Sequence, residues 1–236
     1  MFGYYYDPTY ILVIIGAILS MWASAKVNST FAKYSQVRSS SGITGEETAR
    51  LLLGRNGINH VSVVHIGGQL TDNYNPSTKK VNLSDPVYGS SSIATVSVAA
   101  HECGHAMQHN TNYFPLAFRS ALVPVANIGS KIGIPIILIG VLLSYVGRYN
   151  YTIIQIGLWC FSLSVLFQII TLPVEFNASK RALAAIQENA LLSQEEYRGA
   201  KEVLTAAALT YVASAAASIL SLLRLVMIFG GGRRRD

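Results

Sequence analysis

Charge is scarce in this sequence. Asp, Glu, Lys and Arg together make up 13% of its 236 residues, about half the share of an average soluble domain, while 51% of residues are hydrophobic. That balance points to a membrane protein. Cysteine is scarcer still: Cys103 lies in a histidine-rich motif and Cys160 in an apolar run, which argues against a disulfide framework and leaves the redox compartment open. The net charge of +6 is not gathered into a basic stripe interleaved with aromatics, so no nucleic-acid partner is expected. The cations flank apolar runs instead, and lipid headgroups are the expected anionic partner. No basic segment precedes the first apolar run, only "MFGYYYDP", so that run is read as an uncleaved anchor. Internal repeats and low-complexity tracts are missing too.

What is present is a set of long apolar runs, over residues 9–25, 132–146, 151–172 and about 203–223, each near the length that crosses a bilayer. Tyr4, Tyr5, Tyr6 and Trp22 suit the two interfaces of the first. The polar "GRYN" at 147–150 predicts a tight turn and an antiparallel hairpin. Lys131 and Arg224 can snorkel at the ends of their spans. Buried helices of a soluble protein are the alternative, but four such runs exceed what a core of this size holds. The expected fold class is a mainly α integral membrane protein, with about four transmembrane helices and a small α+β domain. The expected division is an anchor over 1–25, a domain over 26–130, a transmembrane hairpin over 131–172, a helix and loop over 173–202, and a last span with a basic tail over 203–236.

Within 26–130, "TGEETARLLLGRNG" predicts a helix opened by a capping box of Thr44 and Glu47 and closed at Gly54 or Gly57. "HVSVVHI" and "KKVNLS" are strand candidates, separated by the turn-rich "GGQLTDNYNPST". A long helix, "IATVSVAAHECGHAMQHN", follows, capped by Ser90, Ser91 or Ser92.

That helix carries the chemistry. Residues four apart on an α-helix lie one turn apart on one face, so His101 and His105 can meet one tetrahedral ion. Glu102, one step round, can take the proton of the attacking water without ligating the metal, the arrangement of an HExxH site. The competing reading is a chance match on an ordinary polar face. His109 extends the spacing by a turn, which carries it about 12 Å along the axis from His101; it reads as a cation at the helix C-terminus. Cys103 points off the ligand face, and Gly104 lets another element pack closely.

The third protein ligand has to come from elsewhere. Intramembrane site-2 proteases supply an aspartate from a later span, and between His109 and Arg235 there is no aspartate. Of the glutamates that remain, Glu175 stands out in "LPVEFNASKRALAA", where Pro173 is expected to mark the membrane exit and a helix to resume. Ser179 then lies one turn beyond Glu175 on the same face, placed to orient a ligand by hydrogen bonding, as in gluzincin-type sites. A solvated interfacial carboxylate is the competing reading for Glu175.

The motif "HECGHAMQH", preceded by "DNYNPSTKKVNLSDPVY" and followed by "LPVEFNASKRAL", resembles the YugP-type family of bacterial membrane zinc metallopeptidases, along nearly the whole chain. It is more distantly similar to HtpX-like proteases, which carry an acidic residue where this chain has Ser179. The resemblance implies an integral-membrane neutral peptidase with Zn2+ as cofactor, polypeptide as substrate and the bacterial cell membrane as location. It implies His101, His105 and Glu175 as metal ligands and Glu102 as the catalytic base. Val81, Asn82 and Leu83 of "KKVNLS", read as a half-buried edge strand, are expected to bind substrate as an added strand; a purely structural strand is the alternative. Tyr197, Arg181, His60 and His65 are unranked candidates for stabilising the oxyanion. The count of Lys and Arg near the span ends puts the site on the cytoplasmic side. Two other classes of function remain: a zinc-stabilised scaffold or pseudoenzyme subunit, which would not need Glu102, and a transporter, which would need more ionisable groups within the spans. Oligomeric state and companion subunits leave no mark in the sequence.

Overall fold

The computed structural model describes residues 7–145 and 151–230. The expected "GRYN" turn, the interfacial Tyr4, Tyr5 and Tyr6, and the basic tail from residue 231 lie outside them. Helix α1 (Tyr10–Ser35) is followed by α2 (Gly45–Arg55), strands β1 (Ser62–Ile66), β2 (Asn73–Asn75) and β3 (Lys80–Ser84), and the short α3 (Asp85–Tyr88). Then come α4 (Ile93–Asn110), α5 (Phe114–Tyr145), α6 (Tyr151–Glu188) and α7 (Gln194–Phe229). Helices α1, α5, α6 and α7 are long and apolar enough to cross a membrane, and the fold is mainly helical with a small three-stranded sheet, as expected.

The helices outrun the apolar stretches that announce them. The 38 residues of α6 extend about 57 Å at 1.5 Å per residue, against a hydrocarbon core of about 30 Å. The expected break at Pro173 is corrected: Pro173 lies inside α6. Proline forfeits one backbone hydrogen bond there, and the close packing of Val174 and Ala178, both fully buried, holds the helix through it. Likewise α5 starts at Phe114 and passes Pro124 and Pro135 without ending.

By internal packing the chain divides into two units. One comprises Met1–Trp22, Phe118–Thr171 and Tyr211–Asp236. In it α5 and α6 run antiparallel, in contact through small residues: a methyl at Gly140 would meet Ile154, one at Gly133 would meet Phe161, and one at Gly157 would meet the Gly133 carbonyl. Small residues allow such approach where lipid offers helices no hydrophobic incentive to associate. Helices α1 and α7 touch in the same manner at Gly16 and Ala217. Large apolar side chains such as Leu142 and Trp159 face outward, as lipid-facing residues do. Arg224, expected to snorkel, instead pairs with Asp7 at 2.8 Å and covers the Tyr10 ring.

The other unit comprises Ala23–Ala117 and Leu172–Thr210. Its core surrounds α4, whose Ala94, Val96, Ala99, Ala100 and Cys103 are buried against Leu52 and Ala49 of α2 and Val81 and Leu83 of β3. The capping box of α2 is present: Thr44 Oγ1 accepts from the Glu47 amide at 3.2 Å, and the Thr44 amide donates to Glu47 Oε2 at 2.8 Å. Of the three candidate serines, Ser92 caps α4, accepting from the Thr95 amide.

The edge-strand expectation is corrected. The sheet order is β1-β3-β2, with β1 parallel and β2 antiparallel to β3, so β3 is the central strand and its backbone is hydrogen-bonded on both sides. Val81 and Leu83 are fully buried, and the Asn82 side-chain Nδ2 donates to Asn73 Oδ1 at 2.9 Å. These three residues build the sheet, and β3 offers no free edge over residues 80–82 to which a substrate strand could be added. Alternation of apolar and polar residues reveals which face of a strand is buried, not how many neighbours the strand has. The missed neighbour, β2, reads Asn-Tyr-Asn within a stretch rich in turn residues and carries no apolar signal. A proline at Asn82 would therefore break the ladder.

Candidate metal centre

The site is assembled on α4 and α6. Each turn of α4 has one side in the core, and Cys103 is on that side: fully buried, with its Sγ 3.6 Å from the Ala49 carbonyl. Burial pushes its thiol well above the usual range, so it is inert packing, as expected. The opposite side presents His101 and His105, ring centroids 4.8 Å apart and nearly perpendicular. Between them Gly104 brings α6 close. A Cβ placed there would lie 2.4 Å from the Ala178 carbonyl oxygen, so only glycine admits the α6 backbone at this distance.

That approach delivers Glu175. Its Oε2 lies 3.3 Å from His101 Nε2 and 3.4 Å from His105 Nε2, and the three donors lie within 4.8 Å of one another. The carboxylate is almost wholly buried, with a relative exposure of 2%. Each imidazole is held from behind. Ser179 Oγ is 3.1 Å from His101 Nδ1 and Gln108 Oε1 is 3.0 Å from His105 Nδ1, which turns both Nε2 atoms toward Glu175. Gln108 is itself anchored, its Nε2 donating to the Val174 carbonyl at 2.7 Å and to Asn177 Oδ1 at 3.0 Å. Asn177 also accepts from Arg181 Nε at 2.8 Å. Ser179 thus contacts His101, while Gln108 was not among the residues singled out from the sequence. The signal was available: Gln108 lies three residues after His105 on the same face of a helix, and a fully buried glutamine requires partners.

Glu102 is buried beside these groups at 8% exposure. Burial pushes its carboxyl above the usual range, and the two neighbouring imidazoles pull it back.

A family-wide sequence profile described as "Putative neutral zinc metallopeptidase" matches residues 9–230. The "Putative membrane protease YugP" of Bacillus subtilis (strain 168) is 48% identical over 225 residues, covering 95% of this chain and 98% of that protein. The chain belongs to this zinc metallopeptidase family. No solved structure matches it. The donors on α4 and α6 fit the metal that the family's description names. In a tetrahedral zinc site with bonds of about 2.0–2.2 Å, neighbouring ligand atoms are separated by about 3.3–3.6 Å. The spacings of 3.3 and 3.4 Å from Glu175 to the two histidines match that edge and are long for charge-assisted hydrogen bonds. Two imidazoles and a carboxylate are also a donor set that zinc peptidases use, with one position left open.

Other sequence candidates lie apart from this cluster. His109 is not in it: its Nδ1 is 2.8 Å from the Tyr74 hydroxyl, near the C-terminus of α4. His65 pairs with Asp85 at 2.8 Å on the exposed side of β1. Arg181 spends its Nε on Asn177 and lies over the Tyr113 ring, which places it in the chain of contacts behind His105. Tyr197 packs against the core. His60 enters no described contact with the metal-binding group.

Proposed function

We propose that this chain is a membrane-anchored zinc endopeptidase that hydrolyses peptide bonds in unfolded or membrane-protein segments. The observation that carries the reading is the convergence of His101, His105 and Glu175 on one point, with Glu102 next to the first histidine and buried. His101, His105 and Glu175 would hold the ion. Zinc, when bound, polarises the substrate carbonyl and makes the attacking water more acidic. Glu102 takes the proton of that water and gives it to the amide nitrogen as the C–N bond breaks. Ser179 and Gln108 hold the Nδ1 side of each imidazole, so that the tautomer with Nε2 free for the metal is selected. The preference for membrane-near substrates rests on connectivity: the peptidase unit joins the span-bearing unit at four points along the chain, near residues 22, 117, 171 and 210.

Detergent-purified protein is expected to degrade casein, to stop on treatment with a chelator, and to recover when zinc is restored. Zinc-loaded protein that leaves casein and other unfolded chains intact would favour the scaffold reading.

The same proposal puts the site on the cytoplasmic side of the cell membrane, because Lys26, Lys33, Arg38, Arg119, Lys131, Lys180, Arg181, Arg198 and Lys201 belong to the site side of the expected topology, against Arg148, Arg233, Arg234 and Arg235 on the other, with Arg224 near it. Ser77, exposed in the β2–β3 turn, reports this. Ser77→Cys is expected to resist an impermeant thiol reagent in intact cells and to react after permeabilisation. Labelling in intact cells would reverse the orientation.

A further inference from the structure

Away from the metal ligands, the peptidase unit contains a cavity of about 570 Å³ between the end of α1 and the start of α7. Its walls bear Lys26 and Thr30 from α1, and Tyr197, Arg198, Lys201 and Glu202 from α7. The charges in it do not balance. Glu202, itself on the cavity wall, accepts from the Tyr34 hydroxyl at 2.7 Å and from Lys33 at 3.4 Å, and it also feels the charge of Lys26. Among the described residues no carboxylate forms an ion pair with Lys26, Arg198 or Lys201. Three cations therefore share the space with one carboxylate, Glu202, whose direct partners are Lys33 and Tyr34, and the cavity keeps an excess of positive charge.

The rest of the lining is of a different kind. Beside the polar Gln194 and Thr205, Ala206 and Leu209 supply an apolar floor, and in the sequence both belong to the apolar run that begins at Val203. Lys26 directly follows the apolar run over 9–25. A cationic mouth above an apolar floor, formed where two spans turn polar, suits an amphipathic anion. We propose that this cavity binds the phosphate diester of an anionic phospholipid, with Lys26, Arg198 and Lys201 on the phosphate and Ala206 and Leu209 against the first part of the acyl region. Cation clusters at the ends of transmembrane helices attract anionic headgroups through the same charge pairing, and a concave, half-open cleft adds geometric selection to it. A free phosphate shares the headgroup chemistry but gains nothing from the floor.

The test needs neither zinc nor activity, so it stands or falls independently of the peptidase reading. Full-length protein is equilibrated with vesicles of equal parts phosphatidylglycerol and phosphatidylcholine, then extracted in mild detergent, and the retained lipids are counted by native mass spectrometry. Wild-type protein is expected to retain phosphatidylglycerol over phosphatidylcholine by about tenfold. The triple variant K26Q/R198Q/K201Q is expected to fall to the bulk ratio, whereas R55Q/K79Q/K80Q, which removes the same charge from exposed positions elsewhere, retains the wild-type ratio. If the triple variant fails to fold, Lys201→Gln alone is expected to lower the ratio about threefold. Equal enrichment in wild type and the cavity variants, or an equal fall in the control variant, would overturn the site. Displacement of the retained lipid by inorganic phosphate at millimolar concentration would overturn the lipid assignment in favour of a free phosphate.

Discussion

Glu102→Gln is expected to bind zinc as the wild type does and to lose casein hydrolysis by about 10²–10⁴-fold, the range contributed by a positioned acid–base group. The amide fills the same volume but cannot take a proton from water. It alters none of the three candidate ligand atoms His101 Nε2, His105 Nε2 and Glu175 Oε2. Thermal stability supplies an independent readout. Burial disfavours the charged form of Glu102, so a neutral side chain there removes a desolvation cost, and the variant's Tm should match or exceed that of the wild type. Glu175→Gln is expected to behave in the opposite way: zinc retention drops steeply because an amide is a poor ligand, and activity drops with it. Glu188→Gln, at the far end of the same helix, changes neither. Zinc content and activity measured on the three variants separate base from ligand. Full activity in Glu102→Gln, or equal zinc retention in Glu175→Gln and Glu188→Gln, would remove the corresponding assignment.

The parts of this architecture that were legible in the sequence are those whose physics is local. A capping box is a contact between residues three apart, and Thr44 and Glu47 form it as read. Two histidines one turn apart share a face whatever the tertiary fold, and a long apolar run implies a helix in a bilayer. Glu175 was reached by elimination among acidic residues, and Ser179 by helical spacing from it. What was not legible depends on partners distant in sequence. The neighbours of β3 are set by the polar loop before it, and Gln108 meets Asn177, 69 residues away. Pro173 is a strong local signal that tertiary packing overrides, since buried Val174 and Ala178 tie α6 to its neighbours on the far side of the proline.

Gly104→Ala is expected to be among the most damaging single-methyl changes in the protein, and the reason is geometric. The new Cβ would lie 2.4 Å from the Ala178 carbonyl oxygen, 3.1 Å from its carbonyl carbon and 3.2 Å from its Cα. All three are backbone atoms of α6, so no side-chain rotation relieves the contact, and the helix has to shift outward. Ala178 is three residues from Glu175 and adjacent to Ser179, so the shift also draws the Glu175 carboxylate from the histidines and Ser179 from His101 Nδ1. Overpacking of this kind costs about 1–3 kcal/mol, and loosening the groups that orient a metal ligand lowers metal affinity about 10–100-fold. Gly54→Ala is the matched control: it lies within α2, and nothing is within 4 Å of an added Cβ. Alanine there should be neutral or stabilise by up to about 1 kcal/mol through helix propensity. The expected result is a lower Tm and lost zinc for Gly104→Ala, beside an unchanged or higher Tm and full zinc for Gly54→Ala. Should both variants hold zinc and melt together, the close approach of α6 to α4 would not be what brings Glu175 to the histidines.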